Sequence, residues 1–485
     1  MISQKNKKRF LMMALITLGG LALLIVLALM NNLSQSNLAT AQRIGTSIFY
    51  HHDKQIYAEV AGAGYLPVYG ADPESFEVLE GINQSVGWDK NKVYCGNGVL
   101  DGMKAPVKAL GNGLYSDGTT TYYCSFTAEN IKSNMLVYFF KSAFYTLMGK
   151  KYADYQYTTI KIDDTAKSFQ PIEEIYTLSS DGTQFYYKGQ PIDGAKGRIF
   201  ALADASDYFS DGKQLFYQTE PLGVAYHSDW VATRYGARGN FEVLYHKNGG
   251  QIFINGKELN PNQPPYKVFS LNEGYAQHLI FYDDNTIYAY DNQQDKAIAI
   301  GDNRLNLGQF SEFSDGYFTN GTDILYFSSR EDWPQNRRNN YMGLRAFTTM
   351  LGKVKTASAG AWTSWGNPTL NLWQKGNELY YFDTHGRGQY GFLSEKAKEG
   401  EIIAGAYRVT NRDALQTAIQ HDSPLSDNEI EQLINDGVFV AAENELLFSA
   451  TTKIKDDTSQ LVFWVLAFGV GAAALVVYYL RFSRR

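Results

Sequence analysis

The sequence predicts a mainly β chain, an irregular β-propeller-like or β-hairpin repeat body held between two transmembrane helices. Three observations carry that prediction: an aromatic-rich composition, a turn-and-strand motif that recurs along the chain, and two long apolar runs. Aromatic residues make up 14% of the 485 positions, with 35 Tyr and 28 Phe against 12 Pro. Such side chains pack well across neighbouring strands and favour pleated, half-buried surface over helix bundles.

The two apolar runs set the outer boundaries. Residues 10–30, "FLMMALITLGGLALLIVLALM", and 461–480, "LVFWVLAFGVGAAALVVYYL", carry no charge. About 20 apolar residues suffice for a helix to cross the hydrocarbon core. A cleaved signal peptide is the other reading of the first run, with "NLATA" as a weak cleavage site. Its apolar stretch exceeds the roughly 7–15 residues of such peptides, so an uncleaved anchor is expected.

Lys5, Lys7, Lys8 and Arg9 precede the first run, and Arg481, Arg484 and Arg485 follow the second. Cations are retained on the cytoplasmic side, which predicts short cytoplasmic tails at 1–9 and 481–485 and an extracytoplasmic region at 31–460. Setting aside those seven cations leaves 37 basic residues against 50 acidic ones, a formal charge of −13. A surface that acidic argues against nucleic acid or anionic lipid headgroups as the main partner. Gly469 and Ala473 form a small-xxx-small pair in the second run, and Gly19 and Gly20 offer a matching surface in the first. Small residues of this kind let two helices, or a helix and a partner's helix, pack closely.

Cys95 and Cys124 are the only cysteines. Each ends an aromatic strand, "KVYC" and "TYYC". An oxidising compartment would pair them in a structural disulfide, and closing that loop would stabilise the fold by about 3–4 kcal/mol on the chain-entropy account. Two buried free thiols are an alternative, as is a redox pair, although the spacing is not that of a C-x-x-C motif.

Between the apolar runs a motif recurs: Asp, Asn or Gly for a turn, one or two polar residues, then apolar and aromatic residues entering a sheet. It opens at Asp53, Asp89, Asp117, Asp181, Asp211, Asn248, Asp283, Asn320, Gly376 and Glu443. In the copy at Asp89, Asn97-Gly98 reads as the reversal that follows the strand. Up to Asn320 the spacing runs from 28 to 37 residues, with one interval of 64 that predicts a missed copy near "KYADYQYTTI". A repeat of about 30–40 residues implies units that each bury an apolar face on the next. A propeller-like ring would bring the chain's two ends together, and an open or two-lobed run of hairpins also fits.

A second echo pairs "AFYTLMGK" (Ala143–Lys150) with "AFTTMLGK" (Ala346–Lys353), which agree at five of eight positions. It reads as a duplicated lobe or a packing device on two helical inserts, with chance agreement as the alternative. Helix is otherwise sparse. The clearest case is "SDNEIEQLIND", where Ser426 and Glu429 form a capping box ahead of Ile430, Leu433 and Ile434.

"GADPESFEVL" (Gly70–Leu79), followed ten residues later by "DKNKVYC", resembles the DKNYY family of bacterial envelope proteins over residues 50–125. Their repeats carry a GADP-x-[ST]-F-like segment and then a hairpin with paired tyrosines. Cys95 stands where the family's second tyrosine would be, as expected of a residue recruited for a crosslink. The resemblance implies a bacterial, extracytoplasmic β repeat. It implies no catalytic residues.

Signatures of chemistry are absent. No H-E-x-x-H, G-x-S-x-G or Walker A sequence is present. "GRGQYG" at Gly386–Gly391 reads as a glycine-rich hairpin turn, because no helix follows to present amides to a pyrophosphate. Asp204, Asp207 and Asp211 offer clustered oxygens to calcium, but fit no EF-hand spacing and read as turn residues. No cofactor, metal or catalytic residue is expected.

The loop 329–345, "SREDWPQNRRNNYMGLR", places Arg330, Arg337, Arg338 and Arg345 among Trp333 and Tyr341. Guanidinium forks and aromatic faces suit glycans or carboxylates, and pairing with the acidic surface is the plainer expectation. Trp362, Trp365 and Trp373 read as core. The expected function is therefore that of a non-enzymatic protein of the bacterial inner membrane, displaying a periplasmic β-repeat body for protein contacts or envelope scaffolding. A sensor of glycan or peptidoglycan fragments, built on the Arg/Trp loop, is the alternative.

Overall fold

Each of nine turn signals from Asp53 to Gly376 forms the central hairpin of its own sheet. The computed structural model describes residues 40–60, 64–81, 84–130, 135–148, 152, 155–162, 169–172, 177–203, 207–235, 241–259, 265–269, 278–314, 316–332, 345–383, 405–419 and 424–454. Among them are nine antiparallel sheets, seven of four strands and two of five. The four-stranded sheets are simple meanders in which each strand pairs with its sequence neighbour. The inner strands of each sheet supply most of its buried apolar residues.

The chain divides into two compact units, an N-terminal one ending at Ile199 and a second spanning Phe200–Asp456. In the N-terminal unit, Phe49, Ile56, Val86, Val93, Tyr94 and both cysteines share one core. A smaller core gathers Leu114, Tyr123, Phe169 and Tyr186. In the second unit, Leu351 and Phe448 join Ile280, Phe318 and Leu325 in a core under a five-stranded sheet. That sheet is completed by the late strand Asn444–Lys453, which pairs with Ala346–Val354.

The structure corrects four expectations. The interval of 64 residues hides no further copy, because Tyr155–Ile162 is the outer strand of the sheet opened at Asp117 and pairs with Thr121–Asn130. Extra length goes into a helix between those two strands, α1 (Met135–Leu147). Glu443 opens no hairpin. The strand before it, Phe439–Ala441, belongs to one sheet and the strand after it to another.

The third correction concerns the echo. Ala143–Leu147 is helical, whereas Ala346–Lys353 lies within a strand, so the two copies are not a pair of helical inserts. The fourth is a shift of one residue. Cys95 pairs with Gly98, which places the reversal at Gly96-Asn97, with Gly96 in the left-handed region (φ 53°) that glycine enters freely.

Two further helices, α2 (Arg412–Ala418) and α3 (Asp427–Asn435), lie near the end of the described chain. The capping box forms as expected: Ser426 accepts from the Glu429 amide while the Glu429 carboxylate accepts from the Ser426 amide. Ile430 and Leu433 are buried below it. The apolar runs 10–30 and 461–480, with Gly19, Gly20, Gly469 and Ala473, lie outside the described residues. Among the described residues no helix is long and apolar enough to cross a membrane.

Candidate functional site

The recurring aspartate is the natural place to look for chemistry, and its geometry follows from short-range bonding. In each clear copy one side-chain oxygen accepts from the amides two and three residues ahead. Asp89 Oδ1 takes those of Asn91 and Lys92 at 2.7 and 2.8 Å. Asp117, Asp181, Asp211, Asp283 and Asn320 repeat the pattern. A short acceptor side chain thereby replaces the backbone carbonyl that would otherwise close the turn.

Where a Ser or Thr precedes the turn residue, it adds a second clasp. Ser116, Ser180, Ser210 and Thr319 each accept from the following glycine amide and donate to a carbonyl across the turn.

Five residues after the turn aspartate comes the first tyrosine of the motif. Tyr94 donates to Asp89 Oδ2 at 3.1 Å, Tyr186 to Asp181 Oδ2 at 3.0 Å and Tyr288 to Asp283 Oδ2 at 3.0 Å. The tyrosine therefore staples the strand back onto its own turn. The pattern is not universal. Tyr122 donates instead to the Asp101 carbonyl, and Phe216 has no hydroxyl to offer.

The second tyrosine works between sheets. A Cβ added at Gly189 would lie 2.5 Å from Tyr123 Cβ, and one at Gly256 would lie 2.5 Å from the Tyr217 ring. Each of these glycines sits in the turn of the sheet that follows the tyrosine's own. At Cys95 the contact is covalent. Its disulfide to Cys124, with Cα atoms 6.2 Å apart, joins the sheet of residues 77–99 to that of residues 108–162. Both sulfurs are fully buried.

The "GADPESF" segment docks on the hairpin that follows it. The Asp72 amide donates to Asp89 Oδ2 at 2.8 Å, Lys90 pairs with the Asp72 carboxylate at 2.8 Å, and the Ser75 hydroxyl donates to that carboxylate. Phe76 lies against the ring of Tyr94, and a Cβ at Gly87 would meet it at 2.8 Å.

Asp89 consequently accepts four hydrogen bonds, which fills its acceptor capacity. Burial pushes its carboxyl up, but the amides of Asp72, Asn91 and Lys92 and the Tyr94 hydroxyl outweigh that and hold it below its ordinary value. Burial, then Asp89, pushes the Tyr94 hydroxyl up. Asp117 also accepts four bonds, from the Thr119 amide and hydroxyl and the amides of Thr120 and Lys104. These carboxylates are structural anions with their lone pairs engaged, an arrangement unsuited to a general base.

Of the Arg/Trp loop, only the two ends are described. Strands Ile324–Asp332 and Ala346–Val354 pair up to Asp332 and Ala346, so Arg330 and Arg345 stand at the end of that ladder. Arg345 is exposed, with its backbone bonded to Asp332 and Ile454. Trp333, Arg337, Arg338 and Tyr341 lie outside the described residues, as do Asp204 and Gly386–Gly391. Asp207 accepts from Gln218 and Asp211 from its own turn, and no group of three candidate ligands converges among the described residues. Trp362 is buried, and Trp365 and Trp373 pack against cores, as the sequence predicts.

Two features escaped the sequence reading. His278 is buried, with Nδ1 2.9 Å from Thr349 Oγ1 and Nε2 3.0 Å from Thr452 Oγ1, tying together the paired strands Ala346–Val354 and Asn444–Lys453. Burial pushes its imidazole down to about 4. The other is the set of stapling tyrosines. Their signal, Asp-x4-Tyr at 89, 181 and 283, is visible in the sequence once the turn is understood.

Saturated Asp turns, stapling tyrosines and tyrosine-to-glycine stacking define a protein of repeated Asx-turn hairpins. Residues 49–220 match the model of the DKNYY family, the family that the "GADPESF" and "DKNKVYC" segments resemble. Comparisons with curated proteins and with solved structures give no match.

Proposed function

We propose that this chain is a double-anchored bacterial envelope protein that displays its β-repeat body, propeller-like or an open run of hairpins, in the periplasm for contacts with other envelope proteins. The observation that carries the reading is the saturation of the motif's polar groups. Asp72, Asp89, Asp117, Lys90 and Tyr94 bond to one another or to the backbone, so the feature that recurs builds surface. Repeated hairpin surfaces of this kind suit binding by shape. The buried Cys95–Cys124 bond, in a chain with no free cysteine, supports an oxidising compartment. Apolar runs at 10–30 and 461–480 with basic flanks support the two anchors.

Affinity purification from detergent-solubilised envelope tests the proposal. Stoichiometric membrane-protein partners are expected. A clean monomer that binds muropeptides or glycans, and loses that binding on Arg337→Ala with Arg338→Ala, would replace the scaffold with the sensor. Fusion of a periplasmic reporter enzyme after Arg485 should be silent, and activity there would refute the topology.

A further inference from the structure

Helix α1 carries a large apolar surface on its exposed side. Among its described side chains Ser142 and Ala143 are fully buried, and most of the exposed ones are large and apolar. Val137, Phe144 and Met148 lie along one line at intervals of seven and four residues, with Tyr145 and Leu147 on either flank. Phe144, Leu147 and Met148 are each more than half exposed. The solvent side of a helix folded against a water-soluble body is ordinarily polar.

The exposure is concentrated. Of nine exposed large hydrophobic residues among those described, five lie on this helix or its last turn, Val137, Phe144, Tyr145, Leu147 and Met148, which is a concentration rather than ordinary scatter.

Charge selects the occupant. Lys141 sits exposed in the middle of the apolar line, and the sequence from 130 to 153 holds four lysines and no acidic residue, within a chain of net charge −6. A lysine amid apolar and aromatic side chains can extend its ammonium to headgroups while its stem stays with the apolar surface. At about 1.5 Å per residue the helix is roughly 20 Å long, too short to cross a core of about 30 Å but suited to lying in its interface.

We propose that α1 docks flat on the outer face of the membrane, with Val137, Phe144, Leu147 and Met148 in the acyl boundary and Lys141 at anionic headgroups. This rests on the membrane-anchored reading above. The anchors hold the helix at high effective concentration beside the bilayer, so a weak interfacial affinity is sufficient. The acidic body as a whole would avoid anionic lipid, and the helix is its local exception.

Full-length chain in lipid nanodiscs tests the docking. The discs contain either phosphatidylcholine alone or three parts phosphatidylcholine to one part phosphatidylglycerol. A Phe144→Cys variant carries an environment-sensitive dye, and Lys108→Cys, exposed on the same unit, is the solvent reference. Cys95 and Cys124 are bonded to each other and do not compete for label. The dye at 144 should be quenched by nitroxide-bearing lipid and shielded from aqueous iodide, with the reverse at 108. Adding Lys141→Glu should lower the docked fraction in anionic discs by about fivefold or more.

A chain retained in the discs with its 144 dye open to iodide overturns the docking and leaves the anchors standing. Failure of the chain to stay with the discs at all overturns the anchored reading. Shielding of the dye from both quenchers means that a protein surface covers the helix, which also overturns the proposal.

Discussion

Ala143–Met148 and Ala346–Leu351 begin two nearly matching octapeptides and end in opposite environments. In the first copy Phe144 is 57% exposed on a helix, and in the second Phe347 is 8% exposed in a strand. Thr349, the counterpart of Thr146, is buried and bonded to His278, whereas Thr146 bonds to the Ser142 carbonyl in its own helix. The octapeptides carry little preference of their own. What differs is the company. The second copy lies between Ile324–Asp332 and Asn444–Lys453, with both edges paired, while the first is inserted between two strands that already pair with each other. Long-range partners override local propensity when a segment is offered two ladders.

The same two sheets are also pinned differently, one by Cys95–Cys124 and the other by an imidazole between two threonines. Breaking each pin separates them. Phe347→Ala should cost about 3–5 kcal/mol, as for a large core truncation, whereas Phe144→Ala should change stability by less than about 0.5 kcal/mol. Denaturation of both variants in the same detergent checks this, and equal losses would mean that the patch on α1 is covered.

Reduction, or either Cys95→Ser or Cys124→Ser, should weaken the N-terminal unit by about 3–4 kcal/mol on the chain-entropy account. The two single variants should behave alike, and the second unit should be unaffected. Hydrogen exchange resolved by region, with and without reductant, reports both.

Acid should act on the other sheet. His278 is neutral when folded, its value lowered to about 4 from 6.5, so the unfolded chain takes up its proton first. Stability from this group is fully present above about pH 6.5, is lost as pH falls, and stops falling below about pH 4. The loss is on the order of 3 kcal/mol. A His278→Gln variant should show a flatter stability curve across that window, and an unchanged curve would remove His278 as the cause.

Tyr94→Phe removes one stapling bond and should cost about 1 kcal/mol, read as a shift in denaturation midpoint. The smallest effect is expected from transplanting "AFTTMLGK" into positions 143–150. The helix should survive with a change under about 1 kcal/mol, because its neighbours and not its residues decide the conformation. Loss of amide protection across 143–147 would show that the octapeptide does matter.

The sequence was most readable where chemistry is short-ranged. An aspartate or asparagine that bonds amides two and three residues away announces itself, and six of the nine hairpins carry that signal. The two cysteines had only each other. Sheet membership was not readable, because whether Tyr155–Ile162 opens a new sheet or finishes an old one depends on the earlier strand Thr121–Asn130, across the inserted helix. Glu443 misled for the same reason: it carries a turn signal, but its flanking strands join different sheets. His278 gave no local hint, since its two threonines lie 71 and 174 residues away.

The Asx turns have a bearing on chemical ageing. Asp117-Gly118, Asp181-Gly182, Asp211-Gly212 and Asn320-Gly321 are the dipeptides most prone to cyclise, with the glycine nitrogen attacking the side-chain carbonyl carbon. In all four that nitrogen donates its proton to the Ser or Thr before the turn, and the side-chain oxygen is held by two amides ahead of it. Nucleophile and electrophile are kept from meeting by the bonds that shape the hairpin. Ser116→Ala or Ser180→Ala should therefore shorten the chain's storage life through isoaspartate formation well before it alters the fold.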